Sequence, residues 1–150
     1  MKRAYIAIFL AIDLLIVDRA LKWYSEHSLP SEGVFWIPNL FGLERYSNHG
    51  IAFSLPLDRT IILTATVVVV ITLVQSILRH NPTPQTISAL TFLVLGSASN
   101  FYDRVMFGYV IDYLRIGPIS LINIADCMVV IGLIILILQK RAPLPSTHTH

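Results

Sequence analysis

Four long apolar stretches, separated by polar breaks, constrain this chain more than any other feature. They cover about residues 5–23, 60–78, 87–102 and 119–138. A helix needs about 20 apolar residues to cross the hydrocarbon core of a bilayer. The third stretch is the shortest and carries Gly96, Ser97, Ser99 and Asn100. Only 13% of the residues are charged, against roughly 25% in soluble domains. The expected fold is an all-α membrane protein with four transmembrane helices, built as a single domain over residues 1–150. The segment "HNPTP" at 80–84 reads as the turn between the second and third spans, since proline cannot continue a helix.

Charge sets the expected orientation. Lys2, Arg3, Arg79, Lys140 and Arg141 flank one set of span ends with no acidic company. The positive-inside rule makes those ends, and both termini, cytoplasmic. The loop at about residues 24–59 then lies outside, with a second outer segment from Asp103 to Pro118. In the first loop Phe35, Ile37, Leu40, Phe41 and Leu43 alternate loosely with polar or turn residues. This predicts a small extracytoplasmic β-rich unit, with Trp36, Tyr46 and Phe53 at headgroup depth. The opening "MKR" is expected to lead into a retained span, because Asp13 and Asp18 interrupt the apolar run and no small-residue cleavage site follows. The polar tail at about 142–150 is expected to be disordered. With a net charge of +2 and no basic run longer than two residues, nucleic acid is not an expected partner. Cys127, the one cysteine, excludes an internal disulfide and a thiolate metal cluster within the chain. The five histidines are scattered without metal-ligand spacing, so the sequence offers no metal site of its own.

Polar residues within membrane segments are functional candidates, and here they converge on one depth. Asp18 and Lys22 fall at the outer end of the first span, and Asn100, Asp103 and Arg104 at the outer end of the third. Asn123 and Asp126 fall in the first turns of the fourth, and Asp112 in the outer segment between the last two. Plainer roles exist for several of them. Asp18 and Lys22 are four apart and can pair on a helix surface, with the lysine reaching solvent. Asn100 and Asn123 can glue helices together or face a substrate. Arg104 reads as an organiser of nearby carboxylates or carbonyls. Asp13 lies away from the cluster, where Ser97 could satisfy it. Asp112 and Asp126 are the acids hardest to explain structurally, because each is set in apolar sequence and a buried carboxylate is costly. Two carboxylates sharing a site hold one proton between them. That suits peptide hydrolysis, with one acid activating water and the other polarising the scissile carbonyl. It also suits the proton relay of a small proton-coupled membrane transporter. Serine, threonine and cysteine nucleophiles lack a base beside the cluster.

The segments "VDRALK", "NHGIAFS", "SNFYDRVMFGYVIDY" and "NIADC" occur in this order. Together they resemble the bacterial lipoprotein signal peptidases (signal peptidase II), a family of four-span aspartic proteases, over nearly the whole chain except the tail. The resemblance implies that Asp112 and Asp126 are the catalytic pair. It gives supporting or substrate-binding roles to Asp18, Lys22, Asn48, Gly50, Asn100, Asp103, Arg104 and Asn123, and extends the loop motif through Ala52, Phe53 and Ser54. It implies an enzyme of the bacterial cytoplasmic (inner) membrane, with its site near the outer leaflet. Its substrates would be lipid-modified prolipoproteins, cut before the diacylglyceryl-cysteine, and membrane lipids would be its other partners. The chain departs from the family pattern at Arg19, Ser99, Tyr113, Ile122 and Cys127, where glutamine, glycine, phenylalanine, phenylalanine and serine are usual. These departures bear on substrate fit and leave a divergent paralogue as a further reading. A non-catalytic assembly subunit is the remaining one.

Overall fold

A computed structural model of the chain describes residues 2–50, 59–79 and 82–140. In chain order the elements are α1 (Lys2–His27), β1 (Val34–Ile37), β2 (Phe41–Asn48), α2 (Arg59–Arg79), α3 (Pro84–Met106), β3 (Val110–Ile116), β4 (Ser120–Ile122) and α4 (Ile124–Lys140). The protein is mostly helical with one small sheet, and the four helices fall on the four apolar stretches. Residues 51–58 of the outer loop, His80 and Asn81 of the expected turn, and the tail from Arg141 lie outside the described residues. So do Ala52, Phe53 and Ser54 of the loop motif.

The strands form an antiparallel sheet in the order β1-β2-β3-β4. The expected strands in the first outer loop are present as β1 and β2. The segment read as a second outer one also contains a strand, and the fourth helix does not begin at Ile119. Residues Val110–Ile116 pair with β2, and Ser120–Ile122 turn back on them. Gly117 makes that hairpin possible at φ 78, a left-handed conformation open to glycine. The short β4 consumes the residues read as the start of a span, so α4 starts at Ile124. The third helix is longer than its apolar stretch and carries Asp103 and Arg104 in its last turn.

The tightest helix pair is α3 with α4. Gly96 lies so close to α4 that a Cβ there would sit 2.6 Å from the Ala125 carbonyl oxygen. At Gly132 a Cβ would meet the Leu93 Cγ at 2.6 Å and the Ala89 carbonyl at 2.7 Å. Small residues facing one another let two helix backbones approach in this way. Buried Ala89, Leu90, Phe92, Leu93, Ala125 and Met128 fill the surrounding space. The outward faces stay apolar, as at Ile6, Phe9, Ile16, Val68, Val69, Ile134 and Leu138. Among the described residues no helix is long and apolar enough to cross a membrane. The charges Asp13, Asp18, Arg19 and Lys22 interrupt the 26-residue α1, and α4 has 17 residues.

Candidate active site

Asp112 comes from the middle of β3 and is 1% exposed, and Asp126 comes from the first turn of α4. Asn123, the residue just before that helix, is bonded to both. Its side-chain amide nitrogen donates to Asp112 Oδ1 at 2.6 Å. Its amide oxygen accepts from the backbone N–H of Asp126 at 2.8 Å, while its own backbone N–H donates to Asp126 Oδ2 at 3.3 Å. The last two bonds form a reciprocal cap of the capping-box kind, which uses the Asn-x-x-Asp spacing to start the helix. The same four residues that begin α4 therefore also fix one carboxylate relative to the other.

Two further amides complete the surround. Asn48, at the end of β2, donates to Asp112 Oδ2 at 2.9 Å and accepts from the Gly50 N–H at 3.0 Å. Asn100 of α3 donates to Asp126 Oδ1 at 2.7 Å. Arg104, one turn further along α3, donates to the Gly50 carbonyl at 3.2 Å and so ties the loop to the helix. Burial pushes the Asp112 carboxyl up to about 6, and the nearby charge of Asp126 acts in the same direction. The amides of Asn48 and Asn123 oppose that shift by favouring the ionised form.

Beneath these acids lies a buried ionic cluster. Lys22 is fully buried and does not reach solvent, contrary to the surface pair expected from its spacing to Asp18. Its ammonium contacts Asp18 Oδ2 at 3.2 Å, Asp103 Oδ2 at 2.7 Å and Asn100 Oδ1 at 2.9 Å. The last contact turns the Asn100 amide so that its NH₂ group faces Asp126. Arg19 pairs with Asp103 Oδ1 and stacks its guanidinium over the Tyr102 ring, 4.6 Å from the centroid. Two cations thus neutralise two anions, as buried charges require. Asp103 also accepts from the Ile111 N–H at 3.3 Å, next to Asp112 on β3.

Asp18 reaches across from α1 to the start of α4. Its Oδ1 accepts from the Ala125 N–H at 3.2 Å and from the Tyr113 hydroxyl at 3.0 Å, and its Oδ2 accepts from the Ser99 hydroxyl at 2.6 Å. Tyr113 in turn accepts from the Ile124 N–H at 3.1 Å. All ten site residues expected from the sequence are joined in this one set of contacts. Arg19, Ser99 and Tyr113, read from the sequence as departures bearing on substrate fit, belong to the same network through Asp18 and Asp103. No local pattern marks them, because each acts on a residue distant in sequence. Asp13 is exposed on α1 and takes no part in the cluster.

The family model described as Signal peptidase (SPase) II matches residues 10–141. The chain belongs to the signal peptidase II family. Its relatives are similar along nearly their full length. The lipoprotein signal peptidase of Streptococcus pneumoniae is 32% identical, with 91% of this chain and 92% of the relative covered. That of Moorella thermoacetica is also 32% identical, at 91% and 93% coverage. That of Halothermothrix orenii is 34% identical, at 89% and 92%. A solved bacterial membrane enzyme shares the fold with a TM-score of 0.83 at 23% identity, over 96% of this chain and 94% of that one. Membership makes the protein a membrane-associated peptidase of lipoprotein processing, and sets the transporter reading aside.

Proposed function

We propose that the protein is an intramembrane aspartic endopeptidase. It removes the signal peptide from lipid-modified prolipoproteins by cutting before the diacylglyceryl-cysteine, with Asp112 and Asp126 as the catalytic pair. The observation that carries this reading is Asn123, whose one side chain and backbone bind both carboxylates. Two acids bonded to one asparagine, with Asp112 fully buried, retain a proton between them. The upward shift of Asp112 to about 6 is in keeping with that.

In this mechanism the ionised acid takes a proton from water, whose oxygen attacks the scissile carbonyl. The protonated acid gives its proton to the carbonyl oxygen. The tetrahedral intermediate collapses as a proton passes to the leaving amine, here that of the lipid-modified cysteine. No covalent enzyme intermediate forms, and no metal or organic cofactor takes part. Asn48 and Gly50 bind the extended peptide backbone beside Asp112. Asn100, Asn123 and Arg104 hold the acids and the loop, and Asp18, Lys22 and Asp103 hold those in turn.

The topology that fits this chemistry has four spans in the bacterial inner membrane and both termini cytoplasmic. The sheet and the acids then lie at the outer surface, where a lipid-anchored substrate presents its cleavage site. Three charged residues of α1, Asp18, Arg19 and Lys22, turn inward onto α3 and α4, which lowers the cost of setting that part of the helix in a bilayer. The decisive experiment incubates the purified protein with a lipidated prolipoprotein peptide and reads the products by mass. Cleavage before the modified cysteine is expected, and Asp112→Asn or Asp126→Asn should lower turnover by at least about 10³-fold, as loss of an essential catalytic group does. Near-normal turnover in either variant would reject the pair.

A further inference from the structure

The two acids sit on different elements, and their separation depends on how the middle of β3 is joined to the start of α4. Tyr113 follows Asp112 on β3 and is 1% exposed. Its hydroxyl donates to Asp18 Oδ1 at 3.0 Å and accepts from the Ile124 N–H at 3.1 Å. Ile124 is the first residue of α4, two positions before Asp126. The opening N–H groups of a helix have no partner within it. Here Tyr113 takes that of Ile124, Asp18 takes that of Ala125 and Asn123 takes that of Asp126. Of these three acceptors, Tyr113 is the one whose backbone is directly bonded to Asp112.

We infer that Tyr113 is a positioning residue whose phenol clamps β3 to the N-terminus of α4 and thereby sets the distance between Asp112 and Asp126. The inference rests on the proposed role of that pair. One oxygen serves as donor to α1 and acceptor from α4, so it holds three elements at a single point. A phenylalanine fills the same volume and supplies neither bond. Without the clamp, the strand end and the helix start can separate, and two carboxylates further apart interact less. Their two proton losses then draw closer together on the pH scale.

The test compares wild type, Tyr113→Phe and Asp112→Asn in detergent on the lipidated prolipoprotein peptide. It reads kcat and KM across pH, with thermal unfolding alongside. For Tyr113→Phe we expect kcat to fall about 10-fold, on the scale of losses when an orienting partner is removed, with KM within about twofold. We also expect the acid and alkaline limbs of the kcat profile to move toward each other. A role in stability alone would lower the unfolding temperature and leave the limbs in place. A second pair of variants reaches the same bond from its other end. Ile124→Pro removes the N–H at a helix position where proline is well tolerated, whereas Ile124→Ala trims the side chain and keeps the N–H. Ile124→Pro should reproduce the narrowed profile, and Ile124→Ala should keep the wild-type limbs. If Tyr113→Phe folds with wild-type kcat and limbs, the clamp is overturned. If Tyr113→Phe does not fold, identical profiles for the two Ile124 variants overturn it. An active Asp112→Asn protein would overturn the catalytic pair itself, a result distinct from either.

Discussion

Truncating Lys22 to alanine would leave buried Asp103 paired with Arg19, and would take from buried Asp18 the ammonium that it contacts at 3.2 Å. Breaking a buried ion pair by removing one member costs about 3–5 kcal/mol, because an uncompensated charge stays inside. Lys22→Ala is therefore expected to lower the unfolding temperature in detergent sharply. Activity should fall as well, since the Asn100 amide loses the cation that orients it toward Asp126. A melting temperature close to wild type would show that the cluster tolerates the loss. A second expectation concerns pH. Burial pushes the Asp112 carboxyl up to about 6 in the folded protein, from an ordinary value of 3.8. Between those values the native state holds a proton that the unfolded chain has released, so stability falls as pH rises through this window and levels off above it. Asp112→Asn removes that titration, and its unfolding free energy should change less than that of wild type between about pH 4 and 6. Equal slopes in denaturation series at matched pH would contradict the raised value. At this scale the sequence was informative about cost. An aspartate among isoleucine, valine and alanine stands out because its burial is expensive, and so Asp112 and Asp126 could be found. It was uninformative about partnership. Lys22 four residues from Asp18 fits a solvated pair and a buried one equally, and only the arrival of α3 and α4 decides between them.

The α3–α4 contact sets the position of Asp126 along a different axis from the cap. Gly96 faces the Ala125 carbonyl, where an added Cβ would come within 2.6 Å. Gly96→Ala must push α4 outward next to Asp126, and overpacking of this kind costs about 1–3 kcal/mol. Gly132 makes a comparable approach to Ala89 and Leu93 at the far end of the same pair. Both alanine variants should lose stability to a similar degree, with turnover falling much further for Gly96→Ala. Parallel measurements of unfolding and cleavage separate the two effects, and equal losses of turnover would show that helix spacing near the site is unimportant. The helices could be read from apolar length alone. The sheet could be read only in part, for a physical reason. β1 and β2 announce themselves by alternation and adjacency. The run from Val110 to Ile122 is apolar enough to pass for loop and span, and becomes strand only by pairing with β2, far back in the chain. The bonds from Tyr113 and Arg19 were equally hidden, since side-chain contacts across such separations leave no local pattern.

For the molecule as a whole, the proposed orientation rests on Lys2, Arg3, Arg79, Lys140 and Arg141, and it is directly testable. A reporter fused after His150 should read cytoplasmic, and one inserted near Glu32 should read external. The reverse pattern would put the acids in the wrong leaflet for the proposed processing of lipid-modified prolipoproteins. The apolar outer faces of the helices and the inward turn of Asp18, Arg19 and Lys22 fit this arrangement together. The site itself draws on α1, β2, α3, β3 and α4, and its acids are steadied by Asp18, on a helix made early, gripping the first turn of one made late. Timing is built into that grip. While the ribosome is still extending the chain, Asp126 has yet to emerge and Asp18 has no helix end to hold. Under the proposed mechanism, competence to cut peptides therefore waits until α4 has been made, however early α1, β2, α3 and β3 are in place.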